Sequence, residues 1–98
     1  MDASYELLGQ LFEWEVEKAK ANLRKHGLSF ETACEVFFDP FVRLIDTGSD
    51  EESRDAAVGF SEDSRLLFVV HLIREGERIR IISARMATAR EREEYESE

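Results

Sequence analysis

The sequence is poor in the residues that most often announce chemistry. Its 98 residues include one cysteine, one proline, one tryptophan and two histidines. A lone cysteine, Cys34, makes neither an internal disulfide nor a multi-cysteine metal site; it reads as a small core hydrophobe, and a reducing cytoplasm is the expected compartment. His26 and His71 are far apart in the chain and no Cys/His set has zinc spacing, so neither a metal nor a cofactor is expected. No glycine-rich phosphate loop is present, and Ser61, Ser64 and Ser83 lie in no nucleophile-elbow pattern. No apolar run approaches the roughly 20 residues of a membrane helix, and no basic-then-apolar leader opens the chain, so no membrane partner is expected. There are no repeats and no Pro- or Gly-rich linker. The length allows one domain, residues 1–98, with 1–10 as a flexible N-terminal extension.

Positive charge is also scarce. The net charge of −9 excludes wholesale, nonspecific nucleic-acid binding. A third of the residues are charged, but the signs are mixed and 43% of the chain is apolar, with seven Phe, which excludes disorder. The charge is unevenly spread. Residues 1–64 carry a balance of −9, residues 65–92 a balance of +4, and residues 93–98 a balance of −4. The seven cations of the middle stretch (65, 74, 78, 80, 85, 90 and 92) are all Arg, whose planar fork grips phosphate or carboxylate at two points.

Periodicity gives an α+β pattern. Phe12 and Trp14 alternate with Glu13 and Glu15 as in a short edge strand. Val16, Ala19, Leu23 and His26 then fall at helical spacing, with Gly27 as the stop. Ser29 caps a second helix with Phe30, Ala33, Cys34 and Phe37 as its apolar stripe, ended by Asp39-Pro40. Strands are expected at 42–46, 54–60, 66–73 and 78–84, with a polar turn at 47–53 and a tight Glu75-Gly76 hairpin turn. The run 66–73 is apolar on both faces and belongs in the middle of the sheet. Thr88 and Glu91 form a capping box that opens a C-terminal helix.

A two-residue turn at 75–76 places His71 opposite Arg80, with Arg78 next along, and the simplest register of the preceding turn adds Arg54 to the row. Guanidiniums beside His71 would keep its imidazole neutral near pH 7 and able to accept a proton. Arginines would hold a phosphate and stabilise the charge that grows on it. These are the parts of metal-free RNA cleavage. The plain alternative is that His71 fills a sheet face and hydrogen-bonds a neighbour. His26 falls on the apolar stripe of the first helix, where packing is its ordinary role; with Lys25 it is the RNA-contacting candidate outside the sheet. Asp46, Asp50, Glu51 and Glu52 fit a polar loop as well as a cation site.

Several motifs occur together and in order. They are Phe12-Glu-Trp-Glu, the run from Lys18 through His26-Gly27 to Phe30-Glu31, Ala33-Cys-Glu-Val-Phe-Phe-Asp-Pro40, Arg54 with Gly59, Arg80 to Arg85, and then Ala87, Glu91 and Tyr95. Over residues 12–95 the chain resembles the BrnT toxins of bacterial type II toxin–antitoxin systems. The resemblance implies a RelE-like α+β fold: two N-terminal helices on an antiparallel sheet of about four strands, with a C-terminal helix. It implies metal-independent RNA cleavage that stops translation and growth, with mRNA, free or on the ribosome, as substrate. It also implies a cognate BrnA-like antitoxin, through which alone the complex would reach operator DNA. Motif position adds Arg85 to His71, Arg80 and Arg54 as catalytic candidates; Arg78, Lys25 and His26 are the RNA-binding candidates. The alternative is an inactive protein-binding module that acts with the antitoxin in operon autoregulation. A DNA-binding regulator acting alone is disfavoured by the charge and by the missing helix-turn-helix pattern.

Overall fold

Polar and apolar residues alternate strictly from Asp2 to Leu7, the period of a half-buried strand. The computed structural model describes residues 1–47 and 54–97, and in it this segment is strand β1 (Asp2–Leu7). β1 pairs antiparallel with β2 (Gln10–Glu15) across a Leu8–Gly9 turn in which both residues have positive φ, the geometry that matches a two-residue hairpin to strand twist. Ala3, Tyr5 and Leu7 pack on the core, with the Tyr5 ring 5.7 Å from Trp14. The expected loose extension over residues 1–10 is thereby corrected, because its apolar side is half-buried against the core.

Helix α1 (Val16–His26) starts with Glu15 accepting the Lys18 N–H at 2.8 Å and ends at Gly27, whose φ of 69° lets its N–H reach the Leu23 carbonyl. Helix α2 (Phe30–Cys34) is capped by Ser29, as expected, and tightens into a 3₁₀ turn at Glu35–Phe38 before Asp39-Pro40. Strands β3 (Arg43–Asp46), β4 (Asp55–Phe60), β5 (Leu66–Arg74) and β6 (Arg78–Met86) follow, then helix α3 (Ala89–Glu96) with the expected Thr88/Glu91 capping box. From residue 48 on, the expected turn at 47–53 lies outside the described residues.

The sheet has six strands in the order β1-β2-β6-β5-β4-β3, antiparallel except where β2 runs parallel to β6. This corrects the expected antiparallel sheet of about four strands. A hairpin, and not a helix, opens the chain, and the second helix is a single short turn continued as 3₁₀. β5 is central, as its two-sided apolar run requires.

The core lies between one face of the sheet and the α1–α2 layer. Phe12, Phe30, Leu67, Val69 and Ile81 are essentially inaccessible there, each worth about 1.5–3 kcal/mol of burial. Cys34 is buried among them, which pushes its thiol pKa up. Gly59 permits the close approach of the 3₁₀ turn to β4, since a Cβ there would stand 2.9 Å from the Val36 carbonyl oxygen. α3 lies on the opposite face over β4, where Tyr95 meets the Phe60 ring edge-on at 5.4 Å. The Asp39 carboxylate ties these parts together by accepting from the Phe60 N–H, the Phe41 N–H and the Tyr95 hydroxyl. Burial, followed by that last bond, pushes the Tyr95 pKa up to about 12.

Candidate functional site

The turn between β5 and β6 decides which side chains meet. It has three residues, Glu75–Glu77, with Gly76 and Glu77 both at positive φ, where the sequence reading expected two. Arg74 therefore faces Arg78, Leu72 faces Arg80, and His71 faces Ile81. One residue of slip moves every later side chain to the other face. His71 and Arg80 project from opposite sides of the sheet, and the expected His71–Arg80 pair is corrected. On the neighbouring strand Asp55, not Arg54, stands opposite His71. Arg54 lies just before β4, where its carbonyl accepts from the Thr47 hydroxyl at 3.0 Å. Beyond the turn, the β5–β6 pairing shifts again between Val70 and His71, leaving Ile82 as an extra residue in β6.

His71 belongs to the helix-covered face. It is 3% exposed, its ring meets Phe37 edge-on at 4.8 Å, and its Nδ1 lies 3.3 Å from the Val69 carbonyl oxygen. Burial pulls its pKa below the usual imidazole range, against the opposing influence of the Val69 carbonyl and the Asp55 charge. The imidazole is neutral, as expected, but hydrophobic surroundings and not guanidiniums make it so. On the same side, α1 is pinned by Asn22. Its amide donates to the Leu28 and Ala84 carbonyls (3.1 and 2.9 Å) and accepts the Ala84 N–H at 3.1 Å.

The other face carries the charge. Glu13 of β2 sits beside Arg80 through the parallel β2–β6 pairing. Its side chain is 10% exposed and is met by three arginines: Arg80 at 2.8 Å, Arg78 at 3.0 Å and Arg74 at 3.5 Å. Arg80 also spreads its two terminal nitrogens over the Asp2 carboxylate, each N–O distance being 3.0 Å. This bond lowers the Asp2 pKa and raises that of Arg80. Arg74 and Arg78 are about half exposed, so the cluster opens to solvent on the arginine side. Farther along this face Arg85 lies over the Phe68 ring at 4.0 Å and grips Glu91 through two bonds of 2.9 Å, which lowers the Glu91 pKa.

Arg78 and Arg80 are thus brought together, and Arg85 shares their face near the start of α3. His71, Lys25 and His26 are not part of this group. Lys25 and His26 are exposed at the end of α1, so the packed role read for His26 is corrected; Asn22 occupies the buried position instead. Glu13, Asp2 and Asn22 were not singled out by sequence reasoning. The alternation along 2–7 and 12–15, read as one hairpin, is the signal that would have placed the first two together on the polar face of that hairpin. Among the described residues no group of three or more His, Cys, Asp or Glu side chains could hold a metal ion. Asp50, Glu51 and Glu52 lie outside the described residues.

Residues 14–91 match the family model described as the ribonuclease toxin BrnT of type II toxin–antitoxin systems. Among solved structures, the chain is similar to the crystal structure of the Brucella abortus ribonuclease toxin BrnT, with 28% identity and a TM-score of 0.63 over 76% of this chain and 92% of that one. A search of the curated proteins gave no match.

Proposed function

The chain belongs to the BrnT family of ribonuclease toxins of type II toxin–antitoxin systems, and from that premise we propose that it cleaves RNA without a metal ion at the open face of the sheet, with Glu13 as the base. The observation that supports this reading is the Glu13 carboxylate encircled by Arg74, Arg78 and Arg80 on a face no helix covers at that end. A phosphodiester set against Arg78 and Arg80 brings a ribose 2′-hydroxyl to Glu13. The carboxylate takes the hydroxyl proton, the 2′-oxygen bonds to phosphorus, and the bond from phosphorus to the 5′-oxygen breaks, that oxygen taking a proton from water. The products are a 2′,3′-cyclic phosphate and a 5′-hydroxyl. The guanidiniums stabilise the extra negative charge on the five-coordinate phosphorus. His71, enclosed on the far side of the sheet, has no part in this chemistry.

In the cell this activity acts on mRNA in the cytoplasm and slows translation, and a BrnA-like antitoxin neutralises it and supplies the contact with operator DNA. No helix among the described residues is long and apolar enough to cross a membrane. The test is cleavage of a defined RNA by purified protein in EDTA. Wild type is expected to cleave, and Arg80→Ala and Glu13→Gln to lose most of the activity. Undiminished cleavage by both variants would overturn the site. Inducible expression with and without the neighbouring open reading frame tests the toxin role: growth arrest relieved by the neighbour is expected.

The second reading, an inactive module that only binds its antitoxin, draws on one observation. Arg80 and Arg85 on the open face each already grip a carboxylate of the protein itself. Tight antitoxin binding with no RNA cleavage by the wild type would select it.

A further inference from the structure

Arg80 has two carboxylate partners, and they differ in kind. Glu13 is nearly enclosed and holds one terminal nitrogen from below. Asp2 is 57% exposed, stands on the edge strand β1, and takes both terminal nitrogens in parallel bonds of 3.0 Å. A two-oxygen anion seated squarely on a guanidinium fork has the geometry that arginine also offers to a phosphate. The enclosed partner orients the fork, while the exposed partner can be exchanged by turning one short side chain, with no strand having to move. Moreover, the family match begins at Trp14, so Asp2 lies in a strand outside the matched region.

We propose that the Arg80 fork is a phosphate subsite for the RNA backbone, occupied in the free protein by its own Asp2, so that β1 competes with RNA for the open face. The proposal rests on reading this face as the RNA-contacting surface. It makes Asp2 an internal stand-in for the substrate's charge, and it makes RNA affinity depend on a residue that takes no part in the reaction.

The test is binding of a 2′-O-methyl RNA dodecamer, which lacks the attacking hydroxyl, followed by fluorescence anisotropy at low salt. Asp2→Asn keeps the shape and removes the charge; it is expected to tighten binding three- to tenfold, and Asp2→Ala to do the same. Glu6→Gln removes the same charge from the same exposed strand and is expected to have an effect below twofold. In an Arg80→Gln background the gain from Asp2→Asn is expected to vanish. Equal affinity of wild type and both Asp2 variants, an equal gain from Glu6→Gln, or a gain that survives without Arg80 would overturn the subsite and leave the ribonuclease reading standing. Absence of binding by every variant would overturn both.

Discussion

Both faces of the sheet hold polar groups, but in opposite company. On the helix-covered face Asn22 is satisfied by main-chain atoms of Leu28 and Ala84, and His71 lies between Phe37 and the Val69 carbonyl. Their partners are backbone and ring, and solvent is excluded. On the open face Glu13, Asp2 and three arginines are partnered with one another, and half of each outer arginine meets water. A buried polar group whose partners are backbone atoms fixes structure, because any rearrangement leaves a bond unmade. Exposed charges such as Asp2, Arg74 and Arg78 can change partners at little cost, which is what a ligand site needs, while the enclosed Glu13–Arg80 pair holds the cluster in place.

Glu13→Gln probes that division most severely. RNA cleavage is expected to fall by about 10²–10⁴, the usual contribution of a positioned base, with the far-UV circular dichroism of the fold retained. A folded variant with full activity would place the chemistry elsewhere. Asn22→Ala attacks the other face. It strands the Ala84 N–H and two carbonyls, and a loss of about 3 kcal/mol is expected in urea unfolding, enough to lower Tm by more than about 10 °C. A midpoint equal to wild type would mean that the α1–β6 clamp contributes nothing.

Glu91→Gln tests the join between the open face and α3. It keeps an amide oxygen to accept the Thr88 N–H and so preserves the capping box, but it removes the charge that Arg85 grips at two points, so about 1 kcal/mol should be lost at pH 7. The folded Glu91 pKa is depressed, so the wild-type advantage is present above about pH 4.3 and disappears as the pH falls through the folded value. Unfolding curves of the two proteins should therefore converge in acid.

His71→Leu is the mildest probe and the sharpest for the faces. Cleavage should stay within about twofold of wild type. The folded imidazole pKa lies below the ordinary value near 6.5, so the unfolded chain takes up a proton first as the pH falls. Wild-type stability is thus intact above about pH 6.5 and declines below it, whereas the variant should lack this part of the acid decline. Urea midpoints measured from pH 7.5 to 5 check this. Loss of cleavage by a well-folded His71→Leu would dissolve the distinction between the faces.

Much of the fold was legible because local rules sufficed. Gly27, Ser29 and the Thr88/Glu91 pair each announce a helix end through their own backbone preferences. The run 66–73 reads as a central strand because both its faces are apolar. The site was less legible, for a reason of parity. Whether His71 faces Arg80 depends on a turn having two residues or three, and Glu77 takes a positive φ that its side chain does not advertise. The neighbourhood of Glu13 depends on the parallel pairing of β2 with β6, a contact between distant segments that no local pattern encodes. Asn22 was hidden by its polarity, since its burial is decided by the carbonyl and amide of a strand 62 positions away. Arg78 and Arg80 could be singled out together because a cluster of one residue type is visible in sequence alone.

The supernumerary Ile82 has an effect on the arginines either side of it. Arg80 and Arg85 are an odd number of positions apart, and in an unbroken strand they would point away from each other. Their partners, Leu72 and Phe68, are an even number apart, because one more residue is threaded through β6 than through β5 over this stretch. The insertion works as a half-turn in the ribbon, bringing two guanidiniums to the same side that a regular strand would separate. Deleting that one isoleucine would restore an uninterrupted zigzag and divide the basic surface between front and back.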